Sequence, residues 1–106
     1  MKIVINTCHG GFSLSDEAQK LFCRYSMIPF DEWQMDWSYY DIERSDQYLV
    51  RVVEELGDEA NGRFAELKIV DIPDDVEWHI VEYDGLEWIR MDSFRLIVNL
   101  DSNGFI

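Results

Sequence analysis

The sequence predicts a small α+β domain, with a mainly antiparallel sheet of about four to five strands and two to three helices packed on one face. Three observations predict it. A β-branched run stands at the start, two apolar stripes of helical spacing lie before residue 57, and strand-like alternation follows from residue 65. The chain has 106 residues, 47% of them apolar, which suits one domain over 1–106 with 100–106 as a loose tail.

Met1–Asn6 is the expected first strand. Ile3, Val4 and Ile5 are contiguous and β-branched, the pattern of a strand buried on both faces. Residues 7–12 form a loop. Ser13 is placed as the N-cap of the next helix, with Asp16 three residues on, and Ala18, Leu21, Phe22 and Tyr25 recur at helical spacing over about Ser15 to Tyr25.

Pro29 breaks that pattern. Beyond it, Phe30, Trp33 and Trp37 share a face if a short helix begins near Asp31; an aromatic loop is the other solution. Ser45 or Asp46 can cap the following helix, whose stripe is Leu49, Val52, Val53 and Leu56 and whose stop is Gly57. "GDEANG" is a turn.

The second half reads as sheet. Ala65, Leu67 and Ile69 alternate with polar residues, "IPDD" turns the chain, and Val76, Trp78 and Ile80 alternate again. Asp84-Gly85 signals a two-residue hairpin, which sets Glu82 opposite Glu87, an unfavourable pair unless a longer loop or solvent relieves it. Phe94–Leu100 is the last expected strand.

Charge narrows the function. The 22 acidic and 9 basic side chains leave a net charge of −13, which repels nucleic acid, anionic membranes and most phosphate ligands and attracts basic surfaces. No apolar run reaches the length of a membrane span, and the start is too short and too soon acidic for a signal peptide. The expectation is a cytoplasmic protein with Cys8 and Cys23 reduced. Two Cys and two His give no zinc spacing and no calcium loop is present, so neither metal nor cofactor is expected.

The acids are crowded into two stretches. Residues 31–59 carry Asp31, Glu32, Asp36, Asp41, Glu43, Asp46, Glu54, Glu55, Asp58 and Glu59 against Arg44 and Arg51. Residues 66–92 carry Glu66, Asp71, Asp74, Asp75, Glu77, Glu82, Asp84, Glu87 and Asp92 against Lys68 and Arg90. Within the first stretch, aromatic residues stand in an acidic frame, which suits an interface with a basic partner. Trp33, Trp37, Tyr39 and Tyr40 are the expected anchors, and Asp31, Glu32, Asp36, Asp41 and Glu43 the steering charges. The competing role for these aromatics is the core.

The loop "CHGGF" offers alternatives. Gly10 and Gly11 between strand and helix could expose backbone N–H groups to a nucleotide, making Cys8, His9, Gly10, Gly11 and Phe12 a ligand site. Against it, no phosphate-loop signature is present, no cation lies near the loop beyond Lys2, and Asp16 and Glu17 already occupy the first helical turn. A Cys8 nucleophile would need His79 as base, since adjacent Cys8 and His9 point apart. A small buried Cys8 and a plain turn is the simpler account, and no catalytic residue is assigned.

The strings "KIVINTCHGGFSLSDEA" and "IERSDQYLVRVVEELGDEANGRFAELKIVDIPDDVEWHIVEYDGLEWI" resemble a family of small, functionally uncharacterised proteins encoded by bacteriophages and prophages. They cover about two thirds of the chain; the sequence departs from the family pattern at residues 26–40 and after Arg90. The resemblance brings no catalytic motif. It implies a phage accessory protein in a bacterial cytosol. Joined to the charge, it yields the expectation of a non-enzymatic counter-defence or host-takeover factor, anti-CRISPR activity included. Such a factor would cover the basic nucleic-acid-binding surface of a host protein without touching nucleic acid or membrane itself.

Overall fold

The computed structural model describes residues 1–91. Strands β1 (Lys2–Asn6) and β2 (Leu67–Asp71) pair antiparallel, with Val4 opposite Ile69 and Ile3 opposite Val70. Strands β3 (Trp78–Tyr83) and β4 (Leu86–Met91) form a separate antiparallel hairpin. Between β1 and β2 the chain makes helices α1 (Asp16–Ser26), α2 (Phe30–Asp36) and α3 (Gln47–Leu56), with 3₁₀ turns at Tyr39–Asp41 and Gly57–Ala60. The class is α+β, as the sequence predicts. The sheet differs: four antiparallel strands among the described residues lie in two sheets of two. The expected strand at Phe94–Leu100 and the tail at 100–106 fall outside the described residues.

The β-branched start explains the layering. Successive side chains of a strand point to opposite faces. On one face Val4, with Leu67 and Ile69 of β2, packs into a helical core of Phe22, Leu49, Val52 and Val53. On the other, Ile3 and Ile5 meet Ile72, Val70 and the hairpin residues Trp78, Ile80 and Ile89. β1 is thus buried on both sides, with helices over one and the hairpin over the other.

The caps follow the sequence with one shift. Ser15, not Ser13, caps α1 by accepting from the Ala18 N–H at 3.1 Å. Ser13 instead faces Gly62, where a Cβ would come within 2.0 Å of its Oγ, and its carbonyl accepts from Gly62 N–H. Asp46 caps α3 through the N–H groups of Tyr48 and Leu49, and Gly57 ends it with φ +57°.

The Asp84-Gly85 turn is a two-residue connection with both φ angles positive (+51° and +90°), and it does set Glu82 opposite Glu87. The repulsion is relieved by divergence. Glu82 folds back to accept from the Gly85 N–H at 2.6 Å, while Glu87 turns inward, 7% exposed.

Inward, Glu87 meets Arg44 in a two-pronged ion pair, with Nη1 to Oε1 at 2.6 Å and Nη2 to Oε2 at 2.8 Å. Both partners also serve the edge of β1 not paired with β2. The Val4 N–H donates to the Arg44 carbonyl (2.9 Å), Arg44 Nη1 donates to the Val4 carbonyl (3.3 Å), and the Asn6 N–H donates to Glu87 Oε1 (2.8 Å). An edge that would otherwise expose ladder groups is closed by an ion pair rather than a third strand.

A candidate acidic–aromatic cleft

Helix α1 ends at Met27, a residue in the left-handed region with φ +61°, and the chain reverses through Ile28 and Pro29 into α2. This reversal lays α2 against α1. Trp33 is driven inside, 1% exposed, tilted against Phe22 and donating its indole N–H to Gln19 Oε1 at 2.8 Å. Of the four expected anchors, Trp33 is therefore a core residue. Trp37 stacks on it with parallel rings at 6.5 Å and remains 51% exposed. Tyr39 is half-buried against Phe12, and Tyr40 is 70% exposed.

Between α1, α2 and the start of α3 the structure leaves a cleft of about 270 Å³. Trp33, Trp37, Ile28, Phe22 and Tyr48 supply its apolar lining, and Asp41, Glu43 and Asp46 its charge; no Lys or Arg lines it. The sequence reading placed Trp33, Trp37, Asp41 and Glu43 in one interface, and the fold brings these four together here. Asp46 and Tyr48 were missed. Asp46 reads from sequence as a helix cap, which it is, and nothing in its spacing shows that a cap also borders a cleft. Asp31, Glu32 and Asp36 are exposed on α2, and like Tyr40 they do not line the cleft.

The three cleft carboxylates differ in their commitments. Asp41 accepts from the Ser38 N–H in a capping box, and Asp46 holds the α3 cap. Glu43 is exposed; its carbonyl accepts from the Asp46 N–H, while its carboxylate has no ion pair or hydrogen bond among the described residues. Arg44 is the lone cation between residues 31 and 46, and it points away into Glu87. This acidic surface consequently has no counter-ion of its own within its segment.

The second acidic stretch is largely engaged elsewhere. Asp71 and Asp74 accept from the N-terminal ammonium, Glu66 lies 4.0 Å from Lys68, Asp84 lies beside His9, and Glu82 and Glu87 are occupied as described. The two stretches do not act alike.

The glycine loop is packed against its neighbours. At Gly10 a Cβ would come within 1.8 Å of the Phe64 carbonyl oxygen, and at Gly85 within 2.4 Å of the His9 carbonyl oxygen. These glycines allow two chain segments to touch. Gly11, with φ +92°, is the glycine of this loop that faces open space. Phe12 is buried under the Arg44 guanidinium, 3.6 Å from its ring centre. Cys8 is half-buried with Sγ 2.8 Å from the Phe64 carbonyl oxygen, and exposed His9 sits 3.3 Å from the Asp84 carbonyl oxygen. His79 lies exposed on β3, and no hydrogen bond joins it to Cys8 among the described residues. Asn6, fully buried, ties the junction together: its amide donates to Cys8 and Gly85 carbonyls and accepts from the Glu66 N–H, all within 2.8 Å.

Among the described residues no group of three or more His, Cys, Asp or Glu is placed to hold a metal ion, and no helix is long and apolar enough to cross a membrane. No family model, curated protein or solved structure matches the chain.

Proposed function

We propose that this protein is a non-enzymatic acidic binding protein that covers a basic surface of another protein through the face built by residues 31–46. The single observation that carries this is the cleft. It joins a half-exposed tryptophan to three carboxylates, and the one cation of its segment is turned inward. Aromatic anchors give binding energy where they are desolvated, and unpaired carboxylates raise the rate of encounter with cations. The net charge of −13 extends the same attraction over a longer range.

With the family resemblance, the role becomes that of a phage factor in a bacterial cytosol. It would occupy the nucleic-acid-binding surface of a host defence or housekeeping protein, a CRISPR effector being one such target. The alternative of a nucleotide held by Cys8–Phe12 gains no comparable support, since the space at Gly10 is taken by Phe64.

The test is affinity capture from bacterial lysate at low and moderate salt, followed by a displacement assay on what is captured. The expected partner is basic, binds nucleic acid, and releases it when this protein is added. Capture of no basic protein at either salt concentration would sink the proposal.

A further inference from the structure

We infer that the cleft is a receptor for a single arginine side chain presented by the basic partner; this rests on the function proposed above. The size is the first argument. Pockets for small ligands and cofactors run from about 300 to 1,000 Å³. At about 270 Å³ this cleft lies at the lower edge of that range, a size that one inserted side chain can fill. Charge is the second. Asp41, Glu43 and Asp46 line it with no opposing cation, which favours a positive group and disfavours phosphate.

The geometry of the aromatic wall selects between cations. Trp37 is exposed yet held, because its ring lies parallel (3°) to the buried Trp33 ring. Trp33 is itself fixed by Gln19. A tryptophan face fixed in this way needs little ordering when a flat cation stacks on it. A guanidinium is planar, weakly hydrated and able to engage carboxylates with two parallel N–H groups, whereas an ammonium is compact and strongly hydrated. The Glu43 carboxylate, without a partner among the described residues, is the one available for that contact.

The experiment titrates the full chain with a hexa-arginine peptide and, at matched ionic strength, a hexalysine peptide, following the Trp37 indole and Glu43 amide signals by NMR. Hexa-arginine should shift both signals and bind about five-fold tighter than hexalysine. Trp37→Ala and Glu43→Gln should each weaken hexa-arginine by about five-fold or more, and Asp75→Asn, the same charge lost from an exposed site on the β2–β3 turn, by less than about two-fold. Glu43→Gln alters only an exposed side chain, so it keeps the test open if Trp37→Ala fails to fold. Equal losses from Glu43→Gln and Asp75→Asn would overturn the arginine receptor but leave the acidic binding protein standing. Equal affinity for the two peptides would overturn the selectivity for arginine. No binding of either peptide at low salt would overturn both.

Discussion

The guanidinium of Arg44 and the carboxylate of Glu87, 43 residues apart, meet in a two-pronged ion pair that also closes the open edge of β1. Removing one partner strands the other as a buried charge, which costs about 3–5 kcal/mol. Glu87→Gln or Arg44→Ala should thus remove a large part of a stability that in small domains totals about 5–15 kcal/mol. Urea unfolding measures this. The apolar pair Arg44→Met with Glu87→Leu should restore only part of the loss, because the Asn6 N–H then lacks its acceptor. A single substitution costing under about 1 kcal/mol would show the pair to be incidental.

The glycines of the loop should separate sharply. Gly10→Ala forces a methyl group against the Phe64 backbone and should cost more than about 2 kcal/mol. Gly11→Ala meets open space and bears only the strain of a positive φ, about 1 kcal/mol. Thermal unfolding of the two variants checks the order. Were Gly11→Ala the worse, the loop would be holding something other than Phe64.

Cys8 and Cys23 should react differently with a thiol reagent. Cys23 is buried in the helical core, and burial pushes its thiol above the ordinary value, so less thiolate is present to attack. Cys8 is half-buried and should label first, with Cys23 following only on unfolding. Mass spectrometry of partially labelled protein reads the order directly. Labelling of Cys8 as rapid as that of an activated catalytic thiolate would reopen an enzymatic role.

Acid should weaken one surface link in a predictable direction. The Tyr25 hydroxyl and then the Arg51 guanidinium hold the Glu55 carboxyl below its usual value, bridging α1 and α3. A depressed carboxylate contributes stability above its unfolded pKa and loses it as pH falls through the folded one. The stability difference between the wild type and Glu55→Gln should therefore be full at pH 6 and shrink below about pH 4.3. Glu55 and Arg51 are exposed and Tyr25 is half-buried, so the effect should be modest. A difference that grows with acidification would contradict the assigned sign.

Much of this fold could be read locally. Ile3-Val4-Ile5 announced a strand covered on both sides, the stripe from Leu49 to Leu56 announced α3, and Asp84-Gly85 announced the hairpin. What could not be read is what depends on distant partners. Ser13 and Ser15 are chemically equal candidates for a cap, and only the approach of Gly62 assigns Ser13 to packing. One sheet is expected where the described residues form two, because the hydrogen bonds that would recruit a further strand to β1 go to Arg44 and Glu87. The clash of Glu82 with Glu87 was the sole hint of that pair. In the cleft, Trp37 and Glu43 were visible as an aromatic in an acidic frame. The burial of Trp33 was not, since it depends on how α2 folds back over α1.

The position of β1 also has a kinetic consequence. Its partner strand β2 lies more than sixty residues later in the chain, and the covering hairpin later still. The pairing with β2 and the cover from the hairpin each close a long loop, and long-range pairings of this kind slow the search for the native state. Until residue 89 has emerged, the nascent chain carries a short apolar segment with one side uncovered, the kind of surface through which incomplete chains self-associate.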